Sequence, residues 1–438
     1  MTGEALGFLM LGGLLLGLLA GFPIAFTLLA VALLFGYMGL GPRVFDLMTL
    51  QIFSVMRETV LAAVPLFVFM ATVLERARLI ERFFLGFLAL AGSIRGSLYF
   101  AVMVTAILFA AATGIVGASV TLLGVMAGPL MLRAGYDVRL SAGIITAGGT
   151  LGILIPPSVM LVVMGPVVGV PVTQLFAGAI VPGLLLGGLY LGYAMLRCFL
   201  DPSRGPAIQQ ANSEAGKGKA VAELMLGSLP VVGLIFGTLG TILLGIATPT
   251  DAAALGAFAS VLFGIVTRRL DWSGFREAMG KTLEVSSMIL FLVAASNFFG
   301  AVFGALGSSR LLTQLLLESG LPAMGLVVLA MAVIFLLAWP LEWVPIVVIF
   351  LPVLVPVVAK MGMDLLWFSV AVAVNLQTAW LSPPVALSAY FLKGVMPEWS
   401  LKDIYLGMLQ FMMLQLLGLV AVVAFPDLVL WLPRVLQR

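Results

Sequence analysis

Two prolines in succession inside an apolar stretch remove two backbone donors and force the preceding residue out of helical geometry. The chain does this twice. One stretch is Gly148-Gly149-Thr150-Leu151-Gly152-Ile153-Leu154-Ile155-Pro156-Pro157-Ser158; the other is Asn375-Leu376-Gln377-Thr378-Ala379-Trp380-Leu381-Ser382-Pro383-Pro384. A helix broken at mid-depth offers freed carbonyls to a hard cation and freed N–H groups to a carboxylate. Gly149, Thr150 and Ser158 at the first break, with Asn375, Gln377 and Thr378 at the second, are candidate substrate contacts. Gly148, Pro156, Thr378, Ser382 and Pro383 are candidate Na⁺ contacts through backbone or hydroxyl oxygens. Paired prolines also serve merely to kink a packed span. Their recurrence beside Thr and Ser favours binding.

Two further interruptions lie in the apolar segments 97–132 and 322–358, each too long for one straight crossing of roughly 30 Å of hydrocarbon. TGIVGAS (113–119) and WPLEWVP (339–345) divide them, so both read as re-entrant hairpins. At the first tip Thr113, Gly114, Gly117 and Ser119 allow the close backbone approach a cation cage needs, or else tight helix packing. At the second, Glu342 is an acid at mid-depth, costly unless paired or hydrated. It is a candidate to neutralise a cation, to accept a hydrogen bond from a substrate, or to hold the tip by bonding backbone N–H groups.

The elements that position these groups follow from composition. The 438 residues are 62% hydrophobic and 9% charged, with mean hydropathy +1.22; a soluble domain carries about 25% charged residues. The alternation of a membrane β-barrel is missing, so the expected fold is an all-α polytopic membrane protein. Ten spans are expected at 3–19, 22–40, 57–75, 138–165, 173–197, 223–245, 250–267, 284–306, 366–391 and 403–431. Amphipathic stretches at 44–56, 76–90, 270–283 and 308–320 are expected along the interface. The first apolar run follows no basic segment and reads as an uncleaved span.

The net charge of +3 does not point to nucleic acid, because the basic residues sit in short loops and read as topology signals. Only Arg43, Arg57, Arg310, Lys360, Arg434 and Arg438 of the 22 fall on one side, which makes the other side cytoplasmic and both termini periplasmic. There is no His, and Cys198 is the single cysteine, so a histidine proton relay and an internal disulfide are excluded. GFREAMGKT (274–282) has the wrong glycine spacing for a phosphate loop.

An offset of 227 carries Pro156-Pro157 to Pro383-Pro384, Pro129 to Pro356, Gly135 to Gly362 and Asp137 to Asp364. The halves 1–200 and 223–438, joined by a cytoplasmic linker at 201–222, each hold five spans and one hairpin. An odd number of crossings makes them inverted repeats, the signature of secondary transporters with sites at the breaks. No Lys or Arg falls inside a span core, so a carboxylate would be met by helix N-termini, hydroxyls and co-bound cations.

AVPLFVFMATVLE (63–75), GGTLGILIPPSVM (148–160), ATPTDAAALGAF (247–258), SPPVALS (382–388) and DIYLGMLQFMMLQLLGL (403–419) resemble the large membrane subunit of the tripartite ATP-independent periplasmic (TRAP) transporters, over essentially the whole chain. The resemblance implies an elevator-type transporter in the bacterial inner membrane and Na⁺ as the coupling ion. It also implies a separate small four-helix membrane subunit and a soluble periplasmic substrate-binding protein, the cargo being a small organic acid. Two departures stand out: Gln377-Thr378-Ala379-Trp380 is bulkier than the glycine-rich family sequence, and Glu342 stands in place of Asp. The alternatives are a stand-alone Na⁺/dicarboxylate symporter and, in another class, a membrane scaffold or intramembrane enzyme. The lack of His with a single mid-depth acid argues against the enzyme.

Overall fold

Hydrocarbon offers no partner to a backbone N–H or C=O, so a lipid-embedded chain this apolar satisfies its groups within helices. The computed structural model describes residues 2–436 except 78, 92, 93, 115, 208–228, 230, 384 and 385, and shows helices and no strand among them. Seven helices are long and apolar enough to cross a membrane, among them Thr59–Arg76, Val172–Leu200, Trp272–Ala305 and Leu401–Ala424. Gly3–Leu19 and Ile24–Leu40 are shorter and equally apolar. Large apolar side chains such as Leu19 and Phe199 stand about four-fifths exposed on the outside (79% and 80%), as a lipid-facing belt requires.

Both long interrupted segments fold as helical hairpins. Ser97–Thr113 turns at Gly114, whose φ of 63° favours glycine, and returns as Val116–Arg133. Ala323–Leu337 turns through 338–342 and returns from Trp343 to Lys360. Ser119 therefore stands one turn inside the returning arm, buried, and not at the apex.

Each hairpin is followed by a broken span. Val138–Thr150 tightens into a 3₁₀ turn at Leu151–Ile153, runs on without helix to Ser158 and resumes as Val159–Val168. In the second half Leu365–Leu376 and Thr378–Leu381 precede the break, and Leu387–Val395 follows it. The entries to both match 227 residues apart. Gly135 and Gly362 have φ of 72° and 70°, and the side chains of Asp137 and Asp364 accept from the N–H of Leu140 (2.7 Å) and Trp367 (3.1 Å) as helix caps.

The helices gather into two groups. In one, the first broken span lies against its hairpin: a Cβ on Gly148 would come within 2.9 Å of Ala106 and one on Gly149 within 2.4 Å of Val120. Gly407 of Leu401–Ala424 meets the same span so closely that a Cβ would overlap the Arg139 carbonyl. In the other group, the first two helices, Arg43–Arg57 and Thr59–Arg76 pack against the long helix Trp272–Ala305, and Pro249–Val266 packs on Thr59–Arg76. Lys281–Glu75 (3.1 Å) and Arg76–Glu277 (2.6 Å) ion pairs and an Asn297–Gln51 side-chain bond (2.9 Å) tie this group together.

Two expectations are corrected. Residues 270–283 are not a separate interfacial helix: they continue into the span as one 34-residue helix, because their charges pair with Glu75 and Arg76 and leave no reason to turn. Residues 403–431 are not one span: the helix ends at Ala424, Phe425 leaves helical geometry before Pro426, and Asp427–Leu436 starts anew. The other amphipathic stretches form Arg43–Arg57, Leu79–Ala91 and Ser308–Glu318. Of the linker 201–222, only the residues up to 207 lie within the described part; so does the 223–245 segment only in its later portion.

Candidate functional site

Both hairpin tips and both breaks border one cavity of about 100 Å³. Gly114 and Gly117 come from the first tip, Glu342, Trp343 and Val344 from the second, Ile153 and Trp380 from the breaks. Met288, Ile289 and Leu292 of the long helix close the remaining wall. The first tip rests on the first break: a Cβ on Gly114 would lie 3.2 Å from the Pro157 carbonyl oxygen and 3.6 Å from Ser158 Cα. Gly117 faces the Phe391 ring beyond the second break, at 2.9 Å from an added Cβ. Glu342 precedes the Trp343 helix with extended backbone, yet its side chain does not cap that helix.

The carbonyls at the breaks are partly occupied. Ser158 Oγ donates to the Ile153 carbonyl, and Ser388 Oγ donates to the Trp380 carbonyl, whose number is 227 higher. A hydroxyl that donates still has lone pairs for a cation, and so has the carbonyl. Thr150 Oγ1 donates to the Ala147 carbonyl (2.8 Å), Thr378 Oγ1 to Asn375 (2.6 Å) and Ser382 Oγ to Thr378 (2.7 Å), all within their own turns.

Behind the second break lies a buried amide cluster. Gln415 Nε2 donates to the Val374 carbonyl (3.0 Å) and to Gln377 Oε1 (3.2 Å), while Asn375 Nδ2 donates to the Met331 carbonyl (2.7 Å). Asn375 Oδ1, Gln377 Nε2 and Gln415 Oε1 have no partner.

Of the sequence candidates, Gly114, Gly117 and Glu342 border the cavity itself. Ser158, Thr150, Asn375, Gln377, Thr378 and Ser382 are buried around the breaks. Gly148 and Gly149 sit in helix-to-helix contact, Pro156 lies buried in the non-helical segment, Pro383 begins the second turn, and Thr113 ends the first arm. Pro384 is outside the described residues. Sequence reasoning passed over Ile153, Trp380, Ser388, Gln415 and the long-helix wall. The 227 offset applied to Ile153 would have found Trp380. Among the described residues no three His, Cys, Asp or Glu side chains gather as metal ligands.

Broken helices meeting hairpin tips, among helices long and apolar enough to cross a membrane, fit a multi-pass membrane transporter. The fold is similar to that of the YdaH transporter of Alcanivorax borkumensis, with TM-score 0.58 and 18% identity over 88% of this chain and 87% of that one. Residues 11–428 match the tripartite ATP-independent periplasmic transporter family, DctM component, and the chain belongs to that family. It is 27% identical to the C4-dicarboxylate TRAP transporter large permease protein DctM of Rhodobacter capsulatus, covering 98% of this chain and 99% of that protein. It is 28% identical to the sialic acid TRAP transporter large permease protein SiaM of Vibrio cholerae, covering 96% of each. The chain is thus the large permease component of a TRAP transporter.

Proposed function

We propose that the chain is the permease of a Na⁺-coupled, binding-protein-dependent importer that carries a small organic acid across the inner membrane. One observation carries the reading: both tips and both breaks converge on one cavity against a helix of the other group. The relatives named for C4-dicarboxylates and sialic acid both take carboxylates. Among the described residues the cavity has no Lys or Arg in its wall to meet one, so helix ends and a co-bound cation supply the positive charge. The donor set suits Na⁺: the serine hydroxyls and carbonyls at the breaks are hard oxygens, and Asn375 Oδ1 is a buried acceptor still without a partner. The helices carrying tips and breaks form the moving body of an elevator, and the group around Trp272–Ala305 forms the fixed scaffold. The halves 1–200 and 223–438 are inverted repeats. A small four-helix membrane subunit and a soluble periplasmic binding protein complete the assembly.

The test is uptake of labelled small carboxylates into proteoliposomes holding the chain with both partners. Uptake follows an inward Na⁺ gradient and needs the periplasmic protein. Uptake driven by a pH gradient in Na⁺-free buffer, or by the chain alone, overturns the coupling or the assembly respectively.

A further inference from the structure

Among the described residues, Glu342 is the single charged side chain bordering the cavity between the tips and breaks. It caps no helix, and among the described residues it has neither a hydrogen bond nor an ion pair. An acid at this depth without a partner is costly, and the cost falls when a ligand brings a positive charge. The rest of the wall is aromatic or aliphatic: Trp343 and Trp380 flank the space, and Met288 and Ile289 face it. Indole faces attract a cationic nitrogen and repel a second carboxylate. The volume of about 100 Å³ is below the roughly 150 Å³ that accepts a benzene, so the ligand body is compact.

We propose that the substrate of this site is a small zwitterion, a carboxylate beside a cationic nitrogen on a compact apolar body, with Glu342 as the counter-charge of that nitrogen. This rests on the organic-acid reading above and narrows it: a dicarboxylate would bring a second negative charge towards an unpaired acid. The carboxylate of the zwitterion meets the N–H groups and bound cation at the breaks; its nitrogen meets Glu342.

Thermal melting of the full chain with its small subunit in nanodiscs, at constant Na⁺, tests this. The probes are glycine, alanine and 2-aminobutanoate against acetate, propanoate and butanoate, which lack only the amino group, with malonate as the dianion. Wild type gains about 2 °C or more from at least one amino acid over its deaminated partner. Glu342→Gln loses that preference, Glu342→Asp keeps it, and Met288→Trp, which fills the wall, loses every shift. Equal shifts from acid and amino acid, or a preference that survives in Glu342→Gln, overturn the zwitterion and leave the organic-acid reading standing. A stabilisation by Na⁺ that vanishes in Glu342→Gln, with no amino-acid preference, makes Glu342 a cation ligand and also overturns it. No shift from any probe overturns it as well, and the proteoliposome uptake then decides the organic-acid reading separately.

Discussion

The two tip-and-break pairs share a backbone design and differ in chemistry. In the first half, glycine does the work: Gly114 turns the chain with left-handed φ and lays the tip on Pro157 and Ser158, and Gly149 brings the break against Val120. In the second half, the same positions of the fold carry side chains. Glu342 and Trp343 form the tip, Trp380 stands where Ile153 stands, and Asn375, Gln377 and Gln415 fill the space behind. Among the described residues, every partnerless buried side-chain amide atom at the breaks belongs to the second half. One half therefore contributes backbone approach and the other contributes polar and aromatic side chains, although both were built to the same plan.

The sharpest way to break that comparison is at the two apices. Gly114→Val forces a β-branched residue into left-handed φ, costing about 1–2 kcal/mol, and overpacks the break, costing about 1–3 kcal/mol more. Glu342→Gln keeps an ordinary φ of −71° and should melt close to wild type. Melting curves that fall equally would erase the distinction.

Next comes the amide cluster. Gln415→Leu strands Gln377 Oε1 and the Val374 carbonyl, and should cost about 1–3 kcal/mol. Thr150→Val at the first break removes a hydroxyl bonded only to its own turn and should cost under about 1 kcal/mol. Chemical denaturation of both variants measures the gap; a Thr150 effect as large as that of Gln415 contradicts the assignment of roles.

The serine bonds to the break carbonyls are where the halves should agree. Ser158→Ala and Ser388→Ala each free one carbonyl and should cost about 1 kcal/mol apiece. Both should raise the Na⁺ concentration for half-maximal uptake. A change in only one variant would assign the cation to that half.

The smallest effect concerns Asp201, just past the end of Val172–Leu200. The Ser203 hydroxyl, and then the Arg204 guanidinium at 2.9 Å, hold its carboxyl below the usual carboxylate range. A lowered folded pKa gives stability that is present above the unfolded value, about pH 3.9, and is lost as pH falls through the folded value. Asp201→Asn should remove that acid-side slope and change little at neutral pH, because the pair is partly exposed. An unchanged slope on acid titration would place it elsewhere.

The hairpins and breaks were legible in the sequence because Gly and Pro act on backbone within a few residues. Pro156-Pro157 needs no distant partner to stop a helix. The fusion of 270–283 into Trp272–Ala305 was not legible, since its cause is Glu75 and Arg76, some 200 residues away. Ser388 and Gln415 escaped for a similar reason. Each bonds an atom on another element, and an apolar background shows no periodicity that would single them out. Gly148 and Gly149 illustrate the reverse: glycine invites both ligands and neighbouring helices, and here its space is filled by Ala106 and Val120.

The long helix Trp272–Ala305 has a mechanical consequence. Its 34 residues measure about 51 Å at 1.5 Å each, against a hydrocarbon core of roughly 30 Å. Its N-terminal end is clamped by charge pairs to Thr59–Arg76, while its later stretch presents Met288 and Ile289 to the cavity and Gly300 to the Val348 carbonyl, where a Cβ would sit at 3.4 Å. If the body carrying the tips and breaks slides as proposed above, this helix would be its rail, and the absence of a bulky side chain at Gly300 would leave the track clear where the second hairpin packs against it.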